Sequence, residues 1–199
     1  MTHQPSLSHR NPTAWFPLAL MVAVLALRVL GQHDVLQGLP NLSPLMALAF
    51  AGTVVLPRPL PWWSWAIVLL GVDAVSQGAS LWQREHLPVI LLTYTCYAGA
   101  AYWASRVRGQ AGVSSTVVGT VTCSVAFYLV TNTFCWAVDP FYAKTGAGWA
   151  QALTVGIPGP WPTTLEFFRN SLLADLMGAL VLLLAYHSEA FARRLPQMR

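Results

Sequence analysis

The sequence has very little charge. Only 9% of its 199 residues are Asp, Glu, Lys or Arg, and Lys144 is the sole lysine. A soluble domain carries about 25% charged residues, so this composition excludes an ordinary soluble enzyme or binding domain. Hydrophobic residues make up 55% of the chain, and the mean hydropathy is +0.52. The chain is therefore predicted to be an integral membrane protein.

The sequence also lacks the motifs of common catalytic and metal sites. Its three cysteines form no C-x-x-C pair, so neither a disulfide framework nor a structural zinc site is indicated. Without a G-x-x-x-x-G-K-[ST] loop the chain cannot hydrolyse a nucleotide through a P-loop, and no H-E-x-x-H motif supports a metal site. The basic residues are not interleaved with aromatic residues, which argues against nucleic-acid binding. We therefore predict no metal, no cofactor, no nucleic-acid partner and no catalytic residue.

Six apolar runs predict transmembrane helices. The second run is short and contains Ser43 and Pro44, so it is either a full crossing or a tilted or re-entrant segment. Together the runs predict an all-α, polytopic membrane protein with a single transmembrane domain over residues 1–199. The predicted spans cover residues 14–31, 42–56, 62–80, 88–104, 113–135 and 164–187.

The basic residues predict the orientation of these spans. Lys and Arg are retained on the cytoplasmic side of a bilayer. With the N-terminus inside, the cytoplasmic segments hold most of the arginines, whereas the opposite side holds Arg84 and Lys144 in its connections. This distribution favours cytoplasmic N- and C-termini in a multi-pass protein of the bacterial inner membrane.

Polar residues interrupt the predicted spans mainly towards their outer ends. In span three, Asp73 and Gln77 lie on one helical face, and in span five Asn132 lies at similar depth. Charges inside hydrocarbon are costly and commonly mark functional sites. The candidate substrate-binding residues from this pattern and from the similarity below are Arg28, Asn41, Asp73, Gln77, Tyr97, Asn132, Trp136, Glu166, Arg169, Asn170 and Asp175.

Two interpretations of these residues remain open. They form either an outward-facing polar cup that binds a small solute, or ion pairs that only hold helices together, such as Asp73 or Asp175 with Arg28 or Arg169. Interhelical polar contacts contribute only about 0.6 kcal/mol on average. Because this is small compared with the cost of burying a charge in the membrane, the interpretation with a bound ligand is favoured. An intramembrane enzyme is a weaker alternative. Two membrane aspartates suggest an aspartyl protease, but the Gly-x-Gly-Asp context of such enzymes is missing.

Several short motifs resemble a family of uncharacterised six-span bacterial membrane proteins. They are Asn41-Leu42-Ser43-Pro44, the run from Ala47 to Gly52, Asp73, the segment from Thr131-Asn132 to Trp136, and Asn170 with Asp175. The resemblance covers roughly residues 20–185 and implies six spans without an assigned activity.

The overall plan is also similar to the substrate-binding components of energy-coupling-factor vitamin transporters. That similarity is one of architecture. It implies a vitamin-like solute held by Tyr94, Tyr97 and the polar residues at the outer ends of spans four to six. It also implies that Ala19 and Ala23, a small-x-x-x-small pair in span one, dock a transmembrane coupling subunit that works with ATPases. A close helix contact within the same protein is the alternative for this pair.

Overall fold

The computed structural model describes residues 19–26, 43–56, 61–159 and 162–192. Within these residues all regular secondary structure is helical, so the predicted all-α class is confirmed for them. We number the helices in chain order: α1 at residues 19–26, α2 Leu45–Val55, α3 Ser64–Gln77 with a 3-10 extension Gly78–Trp82, α4 Leu87–Val107, α5 Val113–Val138, α6 Gly146–Leu153 and α7 Thr164–Ala192.

Four helical segments are long and apolar enough to cross a membrane: Ser64–Trp82, Leu87–Val107, Val113–Val138 and Thr164–Ser188. They coincide with the third to sixth predicted spans. The first predicted span is described only at residues 19–26, which are helical, and the rest of it lies outside the described residues. These four segments indicate a membrane protein. The six-span count and the orientation of the termini stay predictions.

The four long helices run up and down as an antiparallel bundle. Trp62 lies against Tyr102 and Asp73 against Tyr94, so α3 and α4 are antiparallel. Contacts of Ser124 with Asp175 and of Tyr128 with Phe168 show the same relation between α5 and α7. We call the end of the bundle that holds Trp82, Leu87, Val138 and Thr164 the upper end, and the opposite end the lower end.

Helix α2 is a half-length helix buried inside this bundle. It has eleven residues, and its central turn, Leu48–Gly52, is π-helical. At 1.5 Å per residue it is about 16 Å long, roughly half of the 30 Å hydrocarbon core. Every residue of α2 is buried by protein. The second predicted span is therefore not confirmed as a full crossing, because these residues form a short internal helix.

Small residues on the neighbouring helices make room for α2. The buried residues of α5 are Thr116, Gly119, Thr120, Cys123 and Ser124. Their spacing places them on one helical face. Helix α4 buries a similar set of alanines, including Ala100, Ala101 and Ala104. Small side chains allow helix backbones to approach closely inside a membrane, so a fifth helix fits among four.

Two glycines mark the closest approaches to α2. A Cβ atom added at Gly178 of α7 would lie 2.6 Å from Cβ of Pro44 and 3.2 Å from Cβ of Ala47. One added at Gly119 of α5 would lie 2.3 Å from the ring of Phe50. That ring also packs edge-on against Trp103 of α4, with centroids 5.1 Å apart. These contacts hold α2 against three of the long helices.

The depth of α2 divides the bundle into two halves. Its N-terminus lies beside Ser124 and Asp175, near the middles of α5 and α7. From there it descends, because Gly52 lies close to Trp65 at the lower end of α3. The lower half is therefore filled by α2. In the upper half of α5, residues 125–138 are all described and none of them is buried.

The connection between α5 and α7 folds against the upper end. The Trp149 indole of α6 donates to Oγ1 of Thr133 at 3.0 Å, and the Tyr128 hydroxyl donates to the carbonyl of Leu153. Lys144 donates through Nζ to the carbonyls of Trp136 and Asp139 at the end of α5. A cation is favourable at a helix C-terminus because the unpaired carbonyls there carry partial negative charge. Residues 139–159 of this connection are therefore held against the upper end by hydrogen bonds to α5.

Candidate functional site

The middle of the bundle holds a layer of buried polar side chains, which we call the polar layer. It consists of Asp73, Tyr94, Ser124, Asn170 and Asp175, contributed by all four long helices. Each is at most 8% exposed. Polar groups at this depth need partners, because neither lipid nor apolar side chains can replace their hydrogen bonds to water.

Asp175 binds the N-terminus of α2. Its Oδ1 accepts hydrogen bonds from the backbone N–H groups of Met46 and Ala47 at 3.0 and 3.1 Å, and its Oδ2 accepts one from the Ser124 hydroxyl at 2.7 Å. The first N–H groups of a helix have no partner within the helix and carry partial positive charge. Asp175 therefore acts as a cap supplied by another helix. The sequence predicted Asp175 as a substrate-binding residue or as the partner of an arginine such as Arg169. In the structure its hydrogen bonds go to α2 and Ser124 and not to Arg169.

Asp73 forms the second polar contact of the layer. Its Oδ2 accepts a hydrogen bond from the Tyr94 hydroxyl at 2.5 Å, a short contact of the kind seen for hydroxyls bound to carboxylates. The Tyr94 ring lies 5.9 Å from that of Tyr97, which stacks on Phe127 at 5.4 Å with nearly parallel planes. A carboxylate, a phenol and aromatic faces thus lie together on α3, α4 and α5. Of the predicted site residues, Asp73 and Tyr97 meet here.

Three predicted residues at the upper end bond within their own segments. The Asn132 amide donates to the Tyr128 carbonyl at 2.8 Å, and the Trp136 indole donates to the Ala143 carbonyl at 2.9 Å. Glu166 accepts from the backbone N–H of Thr163 at 2.8 Å, and Thr163 Oγ1 accepts from the Glu166 N–H at 3.2 Å. This reciprocal pair is a capping box that begins α7.

Gln77 and Arg169 lie at the bundle surface. Gln77 is exposed one turn above the buried Asp73, so the predicted polar face of span three does not continue inside. Arg169 is also exposed, and its Nε and Nη2 approach Oδ1 of the buried Asn170 at 3.4 Å. Arg28 and Asn41 lie outside the described residues.

Ala19 and Ala23, the predicted docking pair, are exposed on α1. The same helix buries Met21, whose Cε would lie 3.3 Å from a Cβ atom at Gly52. The alternative expectation, that the pair makes a close contact within this protein, is not met by these exposed positions.

An apolar groove of about 230 Å³ lies between α4 and α5. It is lined by Cys96, Trp103, Cys123, Phe127 and neighbouring small residues, and it has no charged residue in its wall. Among the residues that the structure describes, no group of three or more His, Cys, Asp or Glu side chains could hold a metal ion.

Sequence reasoning missed Ser124 and the role of α2. The signal for both was the run of small residues on α5, in which Ser124 follows Thr116 and Thr120 at four-residue intervals. In the structure Thr116 and Thr120 are fully buried and their hydroxyls bond to carbonyls one turn earlier. A helical face of small residues at membrane depth indicates contact with a closely packed helix and not with lipid.

Comparison with known proteins gives a family without an assigned activity. No curated protein and no solved structure matches the chain significantly. Residues 8–198 match the family described as "Family of unknown function (DUF6580)". Because this match covers nearly the whole chain, the protein belongs to the DUF6580 family.

Proposed function

We propose that this protein is a substrate-binding membrane component that captures a small, vitamin-like solute at its upper end and relies on separate ATPase subunits for uptake. The change in packing at the N-terminus of α2 carries this proposal. Below that point the bundle is filled, whereas above it α5 has no buried residue among 125–138, all of which are described. A bundle with a filled lower half and a loosely packed upper half suits a binding site that is reached from the upper end.

The group around Asp73 has the chemistry of a compact ligand pocket. Such pockets combine aromatic and apolar walls with a few polar groups that orient the ligand. Tyr97 and Phe127 offer stacked rings, and the Asp73–Tyr94 pair offers a carboxylate and a phenol at the same level. In this proposal Asp175 is structural. Its bonds keep α2 in place as the floor beneath the solute.

The expected result is that the wild-type protein, purified in mild detergent, retains a small molecule detectable by mass spectrometry of its extract. Asp73→Asn keeps the shape of the side chain but removes the charge. We expect it to lower the retained amount at least tenfold, since a hydrogen bond to a charged group contributes roughly 1.5–3 kcal/mol.

The matched control is Val75→Ala on the same helix, because Val75 is 74% exposed. It should retain the molecule at the wild-type level and unfold at the wild-type temperature, whereas Asp73→Asn should remain folded but unfold at a lower temperature because it lacks the stabilising solute. An empty wild-type protein, or equal retention by Asp73→Asn, contradicts the proposal. Copurification of subunits with ATPase activity, reduced by bulky residues at Ala19 and Ala23, tests the coupling step separately.

A structural or assembly protein is the second candidate. It is favoured by Asp175, whose carboxylate accepts three hydrogen bonds from within the protein. In that case the polar layer only joins helices, and the purified protein holds no solute although substitutions in the layer lower its stability.

A further inference from the structure

Helix α6 lies beside the upper part of α5 and not above it. Its Trp149 indole bonds to Thr133, which is five residues, or about 7.5 Å, below the end of α5 at Val138. Further along the chain, the carbonyl of Leu153 accepts a hydrogen bond from the hydroxyl of Tyr128, which is ten residues, or about 15 Å, below that end. Helix α6 therefore descends along α5 towards the middle of the bundle.

The upper ends of α4 and α5 lie at the same level, near the edge of the hydrocarbon core. Tyr97 stacks on Phe127, so these two residues are level. Leu87 is ten residues above Tyr97, and Val138 is eleven residues above Phe127, so both lie about 16 Å higher. Helix α4 has 21 residues and is about 31 Å long, which matches a core of about 30 Å. Helix α6 thus lies at the depth of the upper part of this core.

The composition of α6 and of its flanks fits this depth. The sequence has no charged residue between Lys144 and Glu166, a stretch that contains all of α6. Three apolar side chains of this stretch are 40–53% exposed, and we call them the apolar face: Trp149, Val155 and Ile157. Exposed apolar patches of this kind mark contacts with membranes or with other proteins.

The turn after α6 pairs polar backbone groups within the protein. The N–H of Gly156 donates to the carbonyl of Gln151 at 2.8 Å, and the Gln151 amide donates back to the Gly156 carbonyl at 3.1 Å. The N–H of Leu165, at the start of α7, donates to the carbonyl of Thr154 at 2.9 Å. Non-helical backbone is tolerated at membrane depth only where its polar groups have such partners, so this turn suits a position in the membrane.

We propose that α6 and the turn after it form a re-entrant segment, whose apolar face contacts the acyl chains of the upper leaflet. Leu129 and Val130 lie one turn below Thr133 on the same side of α5, and both are exposed on a segment able to cross the membrane. The apolar face adjoins this surface, which is why we favour lipid over a protein partner. This inference does not depend on the proposed uptake function.

Photolabelling of the wild-type protein tests this contact. The protein is reconstituted into phosphatidylcholine vesicles in which part of the lipid carries a diazirine in its acyl chains, and peptide mass spectrometry locates the label. Leu91, largely exposed on α4, is the lipid-facing reference, and Glu85, exposed in the connection before α4, is the reference outside the core. We expect labelling of the apolar face to be within about threefold of Leu91 and at least about tenfold above Glu85, because acyl chains are confined to the core. Labelling at Leu91 without labelling of residues 149–157 would overturn the proposal.

Reaction with a water-soluble, membrane-impermeant maleimide in the same vesicles, followed by peptide mass spectrometry, tests the alternatives. Val155→Cys should react at least about tenfold more slowly than Glu85→Cys, because the maleimide does not enter the hydrocarbon core. Equal rates would show that the apolar face meets water, which contradicts the proposal. Slow reaction of Val155→Cys together with an unlabelled apolar face would show that a protein covers it instead, and would also contradict the proposal.

Discussion

Replacing Asp175 with alanine is expected to lower the free energy of unfolding by about 3–5 kcal/mol. The substitution removes the acceptor for the Met46 and Ala47 N–H groups and for the Ser124 hydroxyl, all near the middle of the bundle. Water cannot replace the acceptor at this depth, so the donors stay unsatisfied and α2 loses its cap. Unfolding in mixed detergent micelles, followed by far-ultraviolet circular dichroism, measures the loss.

Two related variants separate the causes. Asp175→Asn keeps an oxygen for the two backbone donors and should lose less stability than Asp175→Ala. Ser124→Ala removes only one of the three bonds and should cost about 1.5–3 kcal/mol. If Asp175→Ala unfolded like the wild type, Asp175 would not hold α2, and the residue would return to the list of ligand contacts.

Gly178→Ala is expected to cost about 2 kcal/mol, within the range for overpacking a close-packed interior. The new Cβ atom would lie 2.6 Å from Cβ of Pro44, and the proline ring cannot rotate away. Relief requires α2 to move from α7, which lengthens the bonds between Asp175 and the N-terminus of α2. The losses in Gly178→Ala and Asp175→Ala should therefore be less than additive in the double variant.

Gly71→Ala is the matched control, because no described atom outside the backbone of its own helix lies within 4 Å of a Cβ atom placed at this glycine. Alanine favours a helix over glycine by up to about 1 kcal/mol, so this variant should be neutral or slightly stabilised. Equal stability of the Gly71→Ala and Gly178→Ala proteins would show that α2 and α7 are not in close contact. The same unfolding measurement serves both variants.

Hydropathy alone predicted the helical class and the positions of the four long helices. It could not distinguish α2 from a span, because an apolar run has the same composition whether lipid or protein surrounds it. What distinguishes α2 from a span is the surface of its neighbouring helices. Thr116, Gly119 and Thr120 leave a groove on α5 into which another helix packs.

The polar residues were predictable as a class but not in their pairings. Asp175 was recognised from its depth, whereas its main partners are backbone N–H groups that no residue type reveals. Gln77 was placed with Asp73 by helical periodicity, yet α3 ends at Gln77 and Gly78 takes a positive φ of 59°. Periodicity holds only while the helix is packed on one side, and near this end α3 is largely exposed.

The cap of α2 has a consequence for biogenesis. Met46 and the carboxylate that it binds are 129 residues apart in the chain. At ribosomal speeds of about 5–20 residues per second, the segment leaves the ribosome on the order of ten seconds before its acceptor is synthesised. The synthesis of α7 thus completes the cap of α2, and a nascent chain released before residue 175 lacks the carboxylate that binds the N-terminus of α2.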